Sequence, residues 1–413
     1  MKRVIILALA LALLCCACTA QGRVYPSDDV YHEEVDHPYT MDSHPSMLPI
    51  TDTGDSYCFR VPSLLMVMPK ETMEAMPLCA KPNCLHERET DAEKYRLCGA
   101  YFEASNARLY TFRHGGSLYV LQSAVQDAGR GETARTRETA LVRVTEDGTK
   151  RETVLVLGGE LSVTAAILHR GTLYVAAGAY DENMTYQTAL TAYSIDRPSE
   201  KPRVLYRAEG KDEAITLLTA YGSRVYFKHS SNASHADDTL YALRIGGGEP
   251  EPLLADDGVW TASDLLFWRG RMIVFQTCYL PDAPERGTTR VLECALDGSD
   301  AAPLPYGDGI YASDGKYLYI GANLWSPDND GLLHIRDETG AQVGTLDLRT
   351  LPGVAEPRTV TYYAGTDGRV LIYAHDAADN REHLLYFDRT SPEAGTSEVR
   401  ECFDWGKEYA GPW

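Results

Sequence analysis

The chain has 413 residues, 44% of them hydrophobic and 24% charged, enough apolar material to bury a large core, which excludes disorder of the whole. Its formal charge of minus 20 repels DNA, RNA and anionic headgroups throughout their approach, so nucleic-acid binding is excluded as a function class. With 26 Tyr against 8 Phe, and with 34 Gly and 21 Pro, the composition favours strands and tight turns over long helices.

The amino terminus opens with Met1-Lys2-Arg3 and an uninterrupted apolar run from Val4 to Leu14. That run falls short of the roughly 20 residues a membrane-spanning helix needs, and it reads as a secretory signal peptide over residues 1–17. The following Leu14-Cys15-Cys16-Ala17-Cys18-Thr19-Ala20 resembles the bacterial lipobox, in which the cysteine after the cleavage point takes a diacylglycerol. Cys18 is the expected lipidation residue. Cys15 and Cys16 are the alternatives, because the lipobox prefers Leu three places before the lipidated residue and for Cys18 that place is Cys15. The expected location is the outer face of the cell membrane, held by lipid. Cleavage removes Lys2 and Arg3 and no acid, so the body carries minus 22. Residues 18–47 contain Pro26, Pro38, Pro45 and many acids without sustained periodicity, the composition of a flexible tether. His32, His37 and His44 lie among those acids, but a solvated arm does not preorganise a metal site, and a plain linker is the expectation there.

From residue 48 to 413 the chain repeats. A glycine leads into an apolar strand at Gly116-Ser117-Leu118-Tyr119-Val120, Gly171-Thr172-Leu173-Tyr174-Val175, Gly222 to Phe227, Gly270 to Val274, Gly315 to Ile320 and Gly368 to Ile372, with a weaker copy at Gly54 to Phe59. The aligned centres Tyr119, Tyr174, Tyr226, Ile273, Tyr319 and Leu371 are 55, 52, 47, 46 and 52 residues apart. A second apolar strand follows each after a polar loop, for example Leu141 to Val144 and Leu240 to Leu243, and turns such as Asp147-Gly148 and Asp297-Gly298 lead on to a further strand. Four short strands per period is the arithmetic of a propeller blade, and one four-stranded sheet cannot bury both of its apolar faces alone. The expectation is an all-β fold, a β-propeller of seven four-stranded blades, with six or eight as alternatives. Ring closure then predicts that residues 46–59 pair near the last strand at 397–402.

An insertion at 79–98 interrupts the first period. Cys79, Cys84, His86 and Cys98 supply three thiols and an imidazole, the number and type of donors that suit tetrahedral zinc, although the spacing is not that of a standard finger. A structural zinc would use all four ligands and leave no open position for a substrate. A disulfide among Cys79, Cys84 and Cys98 is the competing reading, since an extracellular compartment permits oxidation. The run Pro77-Leu78-Cys79-Ala80-Lys81-Pro82-Asn83-Cys84-Leu85-His86, followed by Cys98-Gly99-Ala100-Tyr101-Phe102, resembles a signature of propeller-type lipoproteins of Gram-positive gut bacteria. This resemblance implies a surface-anchored propeller with no assigned catalytic residues.

Two further cysteine pairs, Cys278 with Cys294 and Cys58 with Cys402, are candidate bridges on the repeat alignment, and buried free thiols are the alternative. No Gly-x-Ser-x-Gly elbow, phosphate loop or sialidase-type turn repeat occurs, and Ser326 to Gly331 lacks the glutamate of a calcium loop. Trp260, Trp268, Trp325 and Trp405 either line a groove or pack between blades. The leading expectation is a non-enzymatic module presenting loops to an extracellular protein, peptide or glycan, with no catalytic residue nominated. The alternatives are a glycan hydrolase or lyase using Asp181, Asp328 or Asp376 in the central funnel, and a structural partner of an envelope complex.

Overall fold

Every repeat glycine sits where a hairpin needs a left-handed residue. Gly54, Gly116, Gly171, Gly222, Gly270, Gly315 and Gly368 all have positive φ, and each lies between the first and second strands of a sheet. In three of them both central residues are left-handed: Gly115-Gly116, Arg170-Gly171 and Arg269-Gly270 join His114 to Ser117, His169 to Thr172 and Trp268 to Arg271. That is the two-residue connection whose twist matches the flanking strands.

The computed structural model describes residues 24–36 and 50–404, apart from 62, 87–88, 103–109, 127–135, 146, 160, 181–185, 211–212, 232–237, 255–258, 280–281, 283, 308, 322–323, 325–329, 366 and 390–397. The strands form seven antiparallel sheets of four consecutive strands: β1–β4 (50–77), β5–β8 (110–159), β9–β12 (162–209), β13–β16 (213–253), β17–β20 (260–303), β21–β24 (310–347) and β25–β28 (357–404). These are seven blades of a β-propeller. The first strands of successive blades neighbour one another and line the axis.

The core is divided by the same count. Among the described residues seven clusters of buried apolar side chains occur, one at each blade interface. Between blades 4 and 5, for instance, Tyr226, Leu240 and Ala242 meet Leu265, Phe267 and Met272. Burial of such a side chain is worth about 1.5–3 kcal/mol, which is how a sheet with two apolar faces becomes stable inside a stack. The seventh cluster joins blade 7 to blade 1, setting Tyr363, Leu371, Leu384 and Phe403 against Ile50, Tyr57, Phe59 and Met66.

Closure differs from expectation in its means. Among the described residues β1 (Ile50–Asp52) pairs only with β2 (Ser56–Val61), and β28 (Arg400–Asp404) pairs with β27 (Arg381–Asp388), so no sheet shares strands from both ends of the described body. Side chains close the ring instead. Phe59 meets Phe403 edge to face at 5.6 Å, Tyr57 Oη donates to Asp367 Oδ1 at 2.7 Å, and Lys70 Nζ lies 3.7 Å from Asp367 Oδ2.

Candidate metal centre and docked segment

The chain leaves blade 1 through β4 (Met76–Pro77) and turns back on itself before blade 2 begins. Two left-handed residues, Asn83 and His86, tighten the turn that carries Cys84. The one-turn helix α1 (Ala92–Arg96) is capped by Asp91, whose side chain accepts from the Glu93 and Lys94 amides, and Cys98 follows with its amide donating to Tyr95 O at 3.0 Å. These elements bring Cys79, Cys84, His86 and Cys98 together, with all four ligand atoms within 4.8 Å of one another. A tetrahedral ion with arms of about 2.3 Å holds sulfur atoms about 3.8 Å apart, so the donor set fits zinc with little adjustment.

The surroundings favour thiolates. Gly99 donates its amide to Cys79 Sγ at 3.1 Å, Ala100 donates to Cys98 Sγ at 3.4 Å, and His86 Nδ1 lies 3.5 Å from Cys98 Sγ. Burial opposes ionisation of Cys79, but the Lys81 and Gly99 amides and the neighbouring thiols hold it below the ordinary thiol value. Burial pushes Cys98 up to about 12, so without a cation the three thiols do not all ionise. The Arg151 guanidinium lies over the Phe102 ring at 3.9 Å and donates to Gly99 O, adding positive charge beside the group. A side chain at Gly99 would meet Cys79 Sγ at 2.8 Å, so glycine is what lets the two segments close. The insertion is clipped to blade 2, where Ala80 donates to Asp147 O.

All seven cysteines among the described residues are free thiols, so neither the bridge within the cluster nor the other two bridges form. Register explains one of them. Cys278 pairs with Trp260 at one end of its strand while Cys294 lies opposite Met272 at the other, six residues away, or about 20 Å. Cys58 joins the cluster facing blade 2, whereas Cys402 packs on the side facing the blade 7 and blade 1 seam.

Of the acids considered for catalysis, Asp181 and Asp328 lie outside the described residues, as do Cys18, Trp325 and Trp405. Asp376 is 2% exposed and its oxygens accept from the Ala355, Glu356 and Ala378 amides at 2.7 to 2.9 Å. Burial opposes its charge, but those amides keep it below the usual carboxylate range. Trp268 is fully buried and donates Nε1 to Lys316 O, a packing role. One carboxyl not singled out by the sequence, Asp264 on the first strand of blade 5, is raised to about 8 by burial.

Residues 24–36, expected within the tether, lie against the wheel on the face of the glycine hairpins. Arg170, in the blade 3 hairpin, organises them. Its Nη1 group donates to Pro26 O and Asp28 O, its Nη2 to Val30 O at 3.1 Å and Asp36 Oδ2 at 2.8 Å, and its Nε to Asp36 Oδ1. Those are five acceptors for the five N–H bonds of a guanidinium. Asp29 accepts from Ser223 Oγ and from Arg224 Nε in blade 4, Tyr25 Oη donates to Asp196, and Tyr31 packs 6.1 Å from Tyr221. His32 is paired with Asp28, and His37 and His44 lie outside the described residues. The sequence held a signal for this docking in Tyr25 and Tyr31 among the acids. Beside the segment is a cleft of about 840 Å³ lined by Tyr25, Ser194, Asp196, Arg197, Arg244 and Gly247.

No protein-family description matches the chain, and no curated protein matches it in sequence. Solved structures share its fold. An oligogalacturonate lyase from Vibrio parahaemolyticus superposes with a TM-score of 0.52 at 10% identity, covering 89% of this chain and 93% of the lyase. Prolyl oligopeptidase B from Galerina marginata gives 0.52 at 9% identity, covering 89% of this chain, which spans only 52% of that enzyme. A puromycin hydrolase gives 0.50 at 14% identity, with 94% and 57% covered. At these identities the likeness is one of architecture, and chemistry has to be argued from the side chains.

Proposed function

We propose that this protein is a lipid-anchored extracytoplasmic propeller that recognises polypeptide on the face of its glycine hairpins. The observation that carries this reading is the docked segment. That face already holds thirteen residues of irregular chain, by main-chain carbonyls gathered on Arg170 and by carboxylates set on Arg170 and Arg224. Carbonyl groups are common to every peptide, so the mode is not tied to one sequence. The adjoining cleft offers Arg197 and Arg244, both exposed, and the backbone of Gly246 and Gly247 to a further length of chain. Lipidation at Cys18 would place the face outside the cell. The hydrolase or lyase reading is less favoured, since Asp376, the one of its three acids among the described residues, accepts three backbone amides that hold it ionised and leave it no proton to donate.

A photoreactive amino acid at Gly247, introduced into the full chain in the producing bacterium, tests the reading. A discrete protein adduct in the membrane fraction is expected, with none when the same group replaces Val343 on blade 6. Labelling of glycan alone, or equal labelling at both positions, would overturn it.

Cys79, Cys84, His86 and Cys98 are further proposed to hold one structural zinc, which supplies stability and no catalysis because the protein fills its coordination. One tightly held zinc per chain, retained through dialysis against a weak chelator, is expected by elemental analysis. Cys84→Ser should lose it and lower the melting temperature, with no further drop on adding a chelator. Chelation of the native protein should lower it by a similar amount.

A further inference from the structure

Blade 7 brings together a second set of ligating groups, at the end of the wheel opposite the glycine hairpins. The hairpin between β26 (Arg369–Asp376) and β27 pairs Asp376 with Arg381 and Ala374 with His383. Asp376 is two residues from Ala374 along its strand, so it is the diagonal neighbour of His383 on the same side of the sheet. One carboxylate oxygen each from Asp376 and Asp379 and one ring nitrogen of His383 lie within 4.8 Å of one another.

Two of the three groups are buried, and their remaining valences point to a cation. Asp376 accepts three amide hydrogens, which leaves about one of its four lone-pair positions open. Asp379, exposed at the hairpin tip, accepts from the Arg381 amide at 3.2 Å and forms an ion pair with the Arg381 side chain at 3.2 Å. His383 decides the matter. Its side chain is 3% exposed, its Nδ1 lies 2.5 Å from Glu401 Oε1, and its buried Nε2 has no hydrogen-bond partner among the described residues. An imidazole held by a carboxylate through one nitrogen, with the other nitrogen bare and facing carboxylates, is arranged as metal-ligating histidines are.

We propose that Asp376, Asp379 and His383 Nε2 bind a divalent first-row transition-metal ion, with Glu401 orienting the imidazole. One nitrogen and two carboxylate donors suit manganese, iron or zinc better than calcium, which takes oxygen alone. Three protein ligands leave coordination positions for water or for an oxygen of an external ligand, unlike the closed thiol centre.

The test is titration of the full protein, dialysed to remove any metal outside the thiol centre, with Mn²⁺, read by the loss of the free-ion electron paramagnetic resonance signal. One saturable Mn²⁺ per chain is expected. Affinity should fall by about 10–100-fold in Glu401→Gln, which touches only the outer carboxylate, and by at least as much in the exposed Asp379→Asn. Binding should vanish in His383→Gln and stay unchanged in Asp330→Asn, which alters another acid and histidine pair on blade 6. Absence of saturable binding at millimolar Mn²⁺, or equal affinity in the native protein, Asp379→Asn and Glu401→Gln, would overturn the proposal.

Discussion

Arg170 shows how much one side chain can hold. It is itself left-handed in the turn it occupies, it is 3% exposed, and it is the hub of every carbonyl contact described for the docked segment. Removing one member of a buried, hydrogen-bonded ion pair leaves the other charged and dry, at a cost of about 3–5 kcal/mol. Arg170→Met should therefore lower the urea unfolding free energy by about that much and expose residues 24–36 to protease. Adding Asp36→Leu should restore part of the stability, because the stranded carboxylate is then gone, but not the protease resistance. A substitution that changed neither reading would show that the segment is not held through this residue. Nothing in the local sequence marks Arg170 for the task. Arg269 precedes a repeat glycine in the same way and instead pairs with Glu293 on its own blade.

At the scale of the element, the hairpins were the legible part. A two-residue turn with left-handed geometry selects glycine at a fixed place, and the strand after it must be apolar because it is covered on both faces. Hence the second strands stood out in the sequence, from Ser56 to Phe59 in the weak first copy to Arg369 to Ile372 in the last. The first strands did not, since no special residue opens them and four carry bulges, at Thr164, Leu217, Ser263 and Arg358. The cluster of Cys79, Cys84, His86 and Cys98 was legible because thiols and imidazole at short spacings have few other uses together. The blade 7 triad was not, because it depends on a hairpin register that carboxylates do not announce. Two glycines separate conformation from crowding. A methyl at Gly116 would meet nothing within 4 Å, whereas at Gly222 it would fall 2.6 Å from the Asp29 backbone. Gly116→Ala should cost only the left-handed penalty of about 1–2 kcal/mol. Gly222→Ala should cost more and should also release the docked segment, as denaturation and proteolysis side by side would reveal.

For the whole molecule, the count of blades could be read from the period, but the way the ring closes could not. Expectation placed the two ends of the body in one pairing, because a shared sheet is a familiar way to lock a circle. Here the first blade takes its four strands from residues 50–77, and blade 7 takes its four from 357–404, so among the described residues neither sheet borrows a strand from the other end. Closure then rests on apolar packing and on Asp367. Phe59→Ala, in a fully buried ring at this seam, should cost about 3–5 kcal/mol, within the range of other large core truncations. If unfolding monitored at blade 7 and at blade 4 then separates into two transitions, the seam is the ring's weakest joint; a single shifted transition would show that all seven interfaces yield together.

The docked segment changes how such a wheel bears tension. It precedes blade 1 in the chain yet is fastened to blades 3 and 4, like a chord drawn across a rim. A pull on whatever lies before Val24 is delivered to the Arg170 and Asp29 fastenings before it reaches β1, whose three residues would otherwise peel from the sheet one bond at a time.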